Sequence, residues 1–306
     1  MVQSTTQKTS MSRVARQEAV AGYVAISPWL LGFLAFHIGP ILAALAVSLT
    51  EWGLLSPPKF VGLRNYATLL SKDPQFWQSV QVTVIYVFFR VPVAAMLSLA
   101  LALLMNQKLV ARPFFRTVFY LPAVVPGVAV SMLWLWIFNP EFGVLNYALA
   151  LVGIQGPKWI FSPQWALPSL ILMSLWQIGG GMVIYLAGLQ GIPVHLYEAA
   201  EIDGANAWRK FLAVTIPMLS PIILFNVIMN VIHGFMVFTQ AYIMTRGGPG
   251  YATLFLVLYI YRNGFEWFKM GYASALAWML FLMILVFTVL LLKNSGRWVY
   301  YEGRVG

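Results

Sequence analysis

Residues 272–292 read YASALAWMLFLMILVFTVLLL, an unbroken run with no charged side chain. Crossing the ~30 Å hydrocarbon core of a bilayer takes about twenty apolar residues at ~1.5 Å of helical rise each. The run is apolar on every face, so it lacks the alternation of a barrel strand, and in lipid its backbone groups must bond within the segment. It predicts a transmembrane helix. The same test, carried outward along the chain, finds five more stretches, at about 23–49, 79–106, 117–138, 167–190 and 212–237. The expected fold class is an all-α integral membrane bundle of six transmembrane helices.

Composition agrees. Over 306 residues the chain is 60% hydrophobic and only 9% charged, too little polar matter to cover a water-soluble globule of this length. There is no cysteine, which excludes disulfides, thiolate nucleophiles and cysteine metal sites together. Lys+Arg 19 against Asp+Glu 9 gives a formal net charge of +10. In a soluble chain that excess would suggest nucleic acid; in a membrane chain it is read first against the preference of Lys and Arg for the cytoplasmic side. No nucleic-acid partner is expected. The segments on the side of the N-terminus, 1–22, 107–116, 191–211 and 293–306, hold 11 of the 19 basic residues. The longer opposite connections, 50–78, 139–166 and 238–271, hold seven, and Arg90 lies inside the second span. Both termini are therefore expected in the cytoplasm.

The polar start leads into a span longer than a signal-peptide core, with no A-x-A site close behind it, and reads as an uncleaved first helix. The expected organisation is a cytoplasmic tail over 1–22, a membrane domain over 23–292 and a cytoplasmic tail over 293–306. The outer connections are long and rich in Pro, Gly and aromatics, as at Ser56-Pro57-Pro58 and Gly247-Gly248-Pro249-Gly250, and suit short interfacial helices or a docking surface. Neither an internal repeat nor a separate soluble domain is visible.

Catalysis within the membrane would need an activated nucleophile, a carboxylate pair or a metal cluster. The sequence has no G-x-S-x-G, no H-E-x-x-H, and three scattered histidines, His37, His195 and His233. A proton- or sodium-coupled carrier usually places a carboxylate near mid-membrane, yet all nine acidic residues fall in connections or tails. A nucleotide-driven pump would carry G-x-x-x-x-G-K-[ST], and Gly-Lys does not occur. No enzyme, metal or cofactor is expected. Uphill transport would need energy from a partner at the cytoplasmic face.

The connection over 191–211, GIPVHLYEAAEIDGANAWRKF, is unusually structured for a loop. Pro193 suits a helix start, Leu196 to Ile202 is helix-permissive, and Asp203-Gly204 is a stop followed by a second helical run. Two short helices with a glycine elbow are expected along the membrane surface. Ala199, Ala200 and Ala205 allow close approach of another protein, and Glu198, Glu201 and Asp203 make an acidic spot on a basic side. From composition alone this is equally a solvated amphipathic connector.

The string Glu-Ala-Ala-x-x-Asp-Gly-Ala from Glu198, with Trp208, Phe211, Ile216-Pro217 and Leu219-Ser220-Pro221 after it, closely resembles the EAA loop of binding-protein-dependent ABC importer permeases, above all the carbohydrate branch typified by maltose-transporter permeases. The resemblance runs over nearly the whole chain. Phe60-Val61-Gly62-Leu63-Arg64-Asn65-Tyr66 looks like that family's first outer loop, Arg116-Thr117 with Leu121-Pro122 its third span, and Phe142-Gly143-Val144-Leu145-Asn146 the loop beyond. Thr245-Arg246-Gly247-Gly248-Pro249 and Gly271-Tyr272-Ala273-Ser274-Ala275 look like the approach to its last span. What the resemblance implies is a type I ABC importer permease bundle in a bacterial or archaeal cytoplasmic membrane. It implies a second permease subunit, an ATP-binding subunit dimer that holds the ATP, an extracytoplasmic solute-binding protein that largely sets selectivity, and a sugar or polyol as solute. Glu198, Ala199, Ala200, Asp203 and Gly204 would contact the ATPase, Glu198 by a charge-assisted bond and Ala200 and Gly204 by setting the approach distance. Amino-acid, phosphate and peptide importers carry related loops, so the carbohydrate reading rests on the flanking motifs. The alternatives are a stand-alone secondary carrier or facilitator, and a membrane-anchored assembly factor.

Asn226, Asn230, His233 and Gln240 recur at intervals that place them, with Val237, on one face of the fifth helix. Polar groups are costly against lipid, so this face should turn inward, as hydrogen-bonding glue between helices or as the wall of a solute path. Uncharged amide and imidazole groups suit hydroxyl-rich sugars. Arg90 reads as snorkelling, pairing within the bundle, or solute binding. Gln177 with Gly179-Gly180-Gly181 reads as a break or as tight helix packing, and Pro122 and Pro126 as kinks in the third span.

Overall fold

The structure, a computed structural model, describes residues 13–107 and 110–300 and is mainly helical. The outer parts of both expected tails, 1–12 and 301–306, and Lys108 with Leu109 lie outside the described residues. Four unbroken helices are long and apolar enough to cross a membrane: Arg13–Ser48, Pro74–Asn106, Ala207–Phe235 and Met270–Ser295. The expected third and fourth spans are each a pair of helices. Arg112–Val124 with Gly127–Ile137 is bent by 99°, and Pro163–Leu175 with Gly179–Gln190 by 43°. Counting each pair as one crossing gives six.

Proline chemistry accounts for the irregularities. Val125 precedes Pro126 and takes an extended ψ of 132°, as steric conflict with a following proline ring demands, so the helix ends at Val124. What the sequence suggested as a kink is a full break. Pro126 has no N–H to give the Pro122 carbonyl, which instead accepts a long 3.4 Å bond from Gln177 Nε2 on the fourth span. In the first and fifth helices a five-residue π turn, Leu34–Ile38 and Phe211–Thr215, comes just before Pro40 and Pro217. The wider turn lets the N–H groups of Gly39 and Ile216 reach back to the Leu34 and Phe211 carbonyls.

Two boundaries differ from expectation. Residues 13–22, expected as tail, continue the first helix, because this stretch carries no proline and only one glycine to interrupt it. The fifth helix stops at Phe235, so Val237 and Gln240 are not on its face.

The first helix is divided by its surroundings. Arg13–Phe33 contributes no buried residue, whereas Gly39–Ser48 packs along Met270–Ser295. At its outer end Ser48 Oγ shares a 2.7 Å bond with Tyr66 Oη, and Asn65 Nδ2 donates to the Ser48 and Thr50 carbonyls at 2.8 and 2.9 Å. The Arg64-Asn65-Tyr66 motif is thus a clamp. It also fixes a two-stranded antiparallel ribbon, Thr50–Glu51 with Lys59–Phe60, that the sequence reading did not anticipate.

The long connections on the side opposite the termini form a packed cap. Short helices occur at Arg64–Lys72, Val144–Leu151 and Leu256–Tyr261. Leu254, Phe255, Leu256 and Leu258 are fully buried, joined in one apolar cluster with Phe76, Tyr86 and Phe138, and the Leu256 N–H donates to Thr83 Oγ1 of the second span at 3.0 Å. Asp73 knots this cap together. Its Oδ1 caps the second helix by accepting from the Gln75 and Phe76 N–H groups, and its Oδ2 accepts from the hydroxyls of Tyr259 and Tyr272. Burial first, and then the bond to Asp73, raises the pKa of the Tyr259 phenol above its ordinary value, which keeps it a donor. Replacing Asp73 by Ala removes the cap and two charge-assisted bonds at once, a loss of about 2–4 kcal/mol. Thermal melting of the purified protein followed by tryptophan fluorescence should show the midpoint fall by several degrees, and an unchanged midpoint would refute the knot.

Candidate functional site

Two features stand apart from this scaffold. The first is the connection between the fourth and fifth spans. Val194–Ile202 is a helix, and Gly204 follows in the left-handed region at φ 74°. Ala205 N–H donates to the Ala200 carbonyl at 2.9 Å and Gly204 N–H to Glu201 at 3.0 Å, the paired bonds of a Schellman stop. Only glycine takes that φ without strain. Asn206 then caps the next helix, its Oδ1 accepting from Arg209 N–H at 2.9 Å. Lys210 Nζ meets Glu201 Oε1 at 3.0 Å, a bridge across the elbow.

The expected second short helix is not separate. Ala207–Lys210 runs through the π turn straight into the fifth span, because nothing between Lys210 and Pro217 interrupts the chain. Any displacement of the elbow is therefore imposed on that span directly. The inner face of the connection is bolted down: Leu196 and Tyr197 pack on the cluster holding Met182, Tyr185 and Leu219, and Tyr197 Oη shares a 3.0 Å bond with Thr215 Oγ1. The other face is open. Glu198, Ala199, Asp203 and Gly204 are exposed and Ala200 is half-buried, while Ile202 is 87% and Trp208 65% exposed. Two large apolar side chains amid three carboxylates make a surface suited to another protein.

The second feature is a cavity of about 790 Å³ between the second, third, fourth and fifth spans. Asn226, Asn230, His233 and Gln240 all line it, as does Val237. Gln240 arrives from beyond the helix end, on the turn before Ala241–Thr245, and so reaches the same cavity from a different element. Asn226 and Asn230 each donate to a carbonyl one turn back, Ile222 at 3.2 Å and Asn226 at 2.9 Å, which leaves their amide oxygens for other donors. Asn230 Oδ1 accepts from Arg90 Nη1 at 3.1 Å, so Arg90 pairs inward. Gln177 lines the cavity too, and Tyr86, Tyr120 and Thr239 join it without a sequence signal, each lying in an apolar run or an outer connection.

The Gly179–Gly181 stretch serves both purposes suggested for it. It opens the helix after the fourth span's break, and a Cβ at Gly179 would stand 2.1 Å from the Phe119 carbonyl oxygen. Gly180 and Gly181 line the cavity. On the face of the cap a separate depression of about 700 Å³ lies beside Trp52, Trp267 and the basic residues Lys59, Arg64, Lys72 and Lys269. Among the described residues no group of His, Asp and Glu could hold a metal ion.

Residues 91–293 match the family described as binding-protein-dependent transport system inner membrane component. The chain is 43% identical over 297 residues, 96% of each chain, to the "Probable ABC transporter permease protein YesP" of Bacillus subtilis (strain 168). It is 35% identical to the trehalose/maltose transport system permease protein MalF of Thermococcus litoralis, across 92% of this chain and 96% of that one. Among solved structures it superposes, with a TM-score of 0.80 and 23% identity, on a chain of a bacterial alginate ABC transporter crystallised with an alginate pentasaccharide-bound periplasmic protein. That likeness covers 92% of this chain and 96% of the other, and concerns the fold.

Proposed function

This chain belongs to the family of binding-protein-dependent transport system inner membrane components, and from that premise we propose that it forms half of the path by which a sugar enters the cell, driven by ATP hydrolysed in a separate subunit. It is a multi-pass membrane protein of a transport family rather than an enzyme. The observation that carries the ATP-driven reading is the elbow, open on the face that bears Glu198, Ile202, Gly204 and Trp208 and continuous with the fifth span on the other side. In this reading the elbow seats in the ATPase subunit, and closure of the ATPase pair moves the fifth span as a lever. Both termini then lie on the ATPase side, in the cytoplasm, in keeping with the basic residues there.

A second permease subunit fits the stretch Arg13–Phe33, a helix with no buried residue. The outer cap would receive the solute-binding protein. The sugar assignment draws on the likeness to a trehalose/maltose permease and on the cavity, whose amides, phenols and hydroxyls match a ring of hydroxyl groups.

The test is reconstitution. Proteoliposomes holding this chain with its partner permease, the ATPase and the binding protein should import sugar only with ATP inside, and accumulation by this chain alone would overturn the reading. Asn230→Leu removes an acceptor from the cavity wall while keeping the number and branching of side-chain heavy atoms, and should cut uptake about tenfold, the scale of one lost hydrogen bond to a charged or buried group, with the complex still assembling. Unchanged uptake would make Asn230 a helix-packing residue only.

A further inference from the structure

The cavity holds one permanent charge, and among the described residues no carboxylate lines it or pairs with it. Arg90 stands midway along Pro74–Asn106, roughly 24 Å from either end at ~1.5 Å per residue. Its side chain is too short to carry the guanidinium to either water layer, so snorkelling is excluded. A cation at that depth ordinarily finds a carboxylate or backbone carbonyls. Arg90 Nη1 donates to the Asn230 carbonyl at 3.3 Å and to Asn230 Oδ1 at 3.1 Å, which employs one of its three nitrogens. No Asp or Glu lines the cavity, and the ion pairs among the described residues are Arg64 with Glu51, Lys210 with Glu201 and Arg262 with Glu266, all outside it.

A neutral sugar needs nothing of the kind. Its hydroxyls are met by groups that donate and accept, and the cavity has these in Tyr86, Tyr120, Gln177, Asn226 and Gln240. A guanidinium only donates, and its planar fork matches a carboxylate in two parallel bonds. Within walls of low dielectric its field also draws anions and repels cations.

Resting on the reading of this cavity as a sugar path, the geometry points to an acidic saccharide, one that carries a carboxylate, as the solute, with Arg90 receiving that group as it passes. The remaining N–H donors of Arg90 face the carboxylate while the amides and phenols around it face the ring hydroxyls. Asn230 is then a positioning residue, holding the guanidinium against the fifth helix.

The experiment uses the reconstituted complex and paired probes: di- and trisaccharides of galacturonate and glucuronate beside their neutral galactose and glucose counterparts. Wild-type complex should import a uronate member of the set in preference to its neutral counterpart. Arg90→Gln should lower that import at least about tenfold, the scale of a lost charge-assisted bond, and Arg90→Lys should restore a substantial part of it. Preferred import of the neutral member by the wild type, or equal uronate import by Arg90→Gln, overturns the proposal and leaves the importer reading standing. Loss of the second permease on purification of Arg90→Gln, reversed in Arg90→Lys, assigns the missing carboxylate to that subunit and likewise overturns it. Absence of solute-stimulated ATP hydrolysis with every probe overturns the acidic-saccharide assignment and leaves the family membership standing.

Discussion

Replacing Gly204 by Asp in the assembled complex should abolish solute-stimulated ATP hydrolysis and lower uptake by more than about thirtyfold, the cost of disrupting a central interface contact. The permease itself should survive the change. At φ 74° a non-glycine residue bears about 1–2 kcal/mol of backbone strain, toward the low end for Asp, and its Cβ would meet no other atom of this chain within 4 Å. The new carboxylate would instead point outward from the elbow into whatever covers it, beside Glu198, Glu201 and Asp203, which already make that face acidic. Gly204→Ala separates the two effects, because it carries the strain with almost no added bulk and no charge. It should keep most of the stimulation. Copurification of the ATPase subunit, read alongside hydrolysis, tells weakened docking from a docked but uncoupled state. Full stimulation in Gly204→Asp would remove Gly204 from the contact.

Gly179→Ala should be the most damaging single methyl in the membrane interior. Its Cβ would lie 2.1 Å from the Phe119 carbonyl oxygen and 2.8 Å from the Tyr120 Cα, and backbone atoms have no rotamer by which to retreat. Either the third and fourth spans separate or the helix from Gly179 to Gln190 rotates. Overpacking of this kind costs about 1–3 kcal/mol and sometimes more. Because Tyr120 and Gly180 both line the cavity, the shift also reshapes the path. Expected together are a lower melting midpoint of the purified complex and a loss of uptake beyond the fall in protein yield. Gly180→Ala is the control. A Cβ at Gly180 meets no atom within 4 Å, so it should leave the melting midpoint in place.

How much of this was readable from the residues depends on what each signal encodes. Apolar length encodes crossings, and the six stretches correspond to four long helices and two bent pairs. Local turn chemistry was equally legible at Asp203-Gly204, where a helix stop with a glycine elbow was expected and found, the glycine at a left-handed φ. Proline announced an interruption at Pro126 but not its size. The 99° bend depends on what lies against the break, including the Gln177 side chain from another span, which no local pattern contains. The buried stretch Leu254–Leu258 was hidden because an apolar run of that length is too short to read as a span and sits between turn-forming residues. Its burial is set by partners far away in sequence, Phe76, Tyr86 and Phe138 in the apolar cluster, with Thr83 accepting the Leu256 N–H.

The cavity was half legible. Helical spacing brought Asn226, Asn230 and His233 to one face, but spacing cannot say where a helix ends, and Gln240 reaches the same space by a turn in the chain. Arg90 was open among three readings. Its distance from both helix ends and its bond to Asn230 exclude one of them, which only coordinates could do.

The ties at the rim formed by the cap have a mechanical meaning. Asp73 fastens the start of the second helix to Tyr272 at the start of the sixth, Asn65 and Tyr66 hold the end of the first, and Gly271 N–H meets the Trp52 carbonyl at 3.3 Å. These are directional polar bonds, whereas below them the second, fifth and sixth helices touch through apolar side chains that can slide. The bundle is thus fastened by directional bonds at one end and held by yielding contacts along the rest of its length.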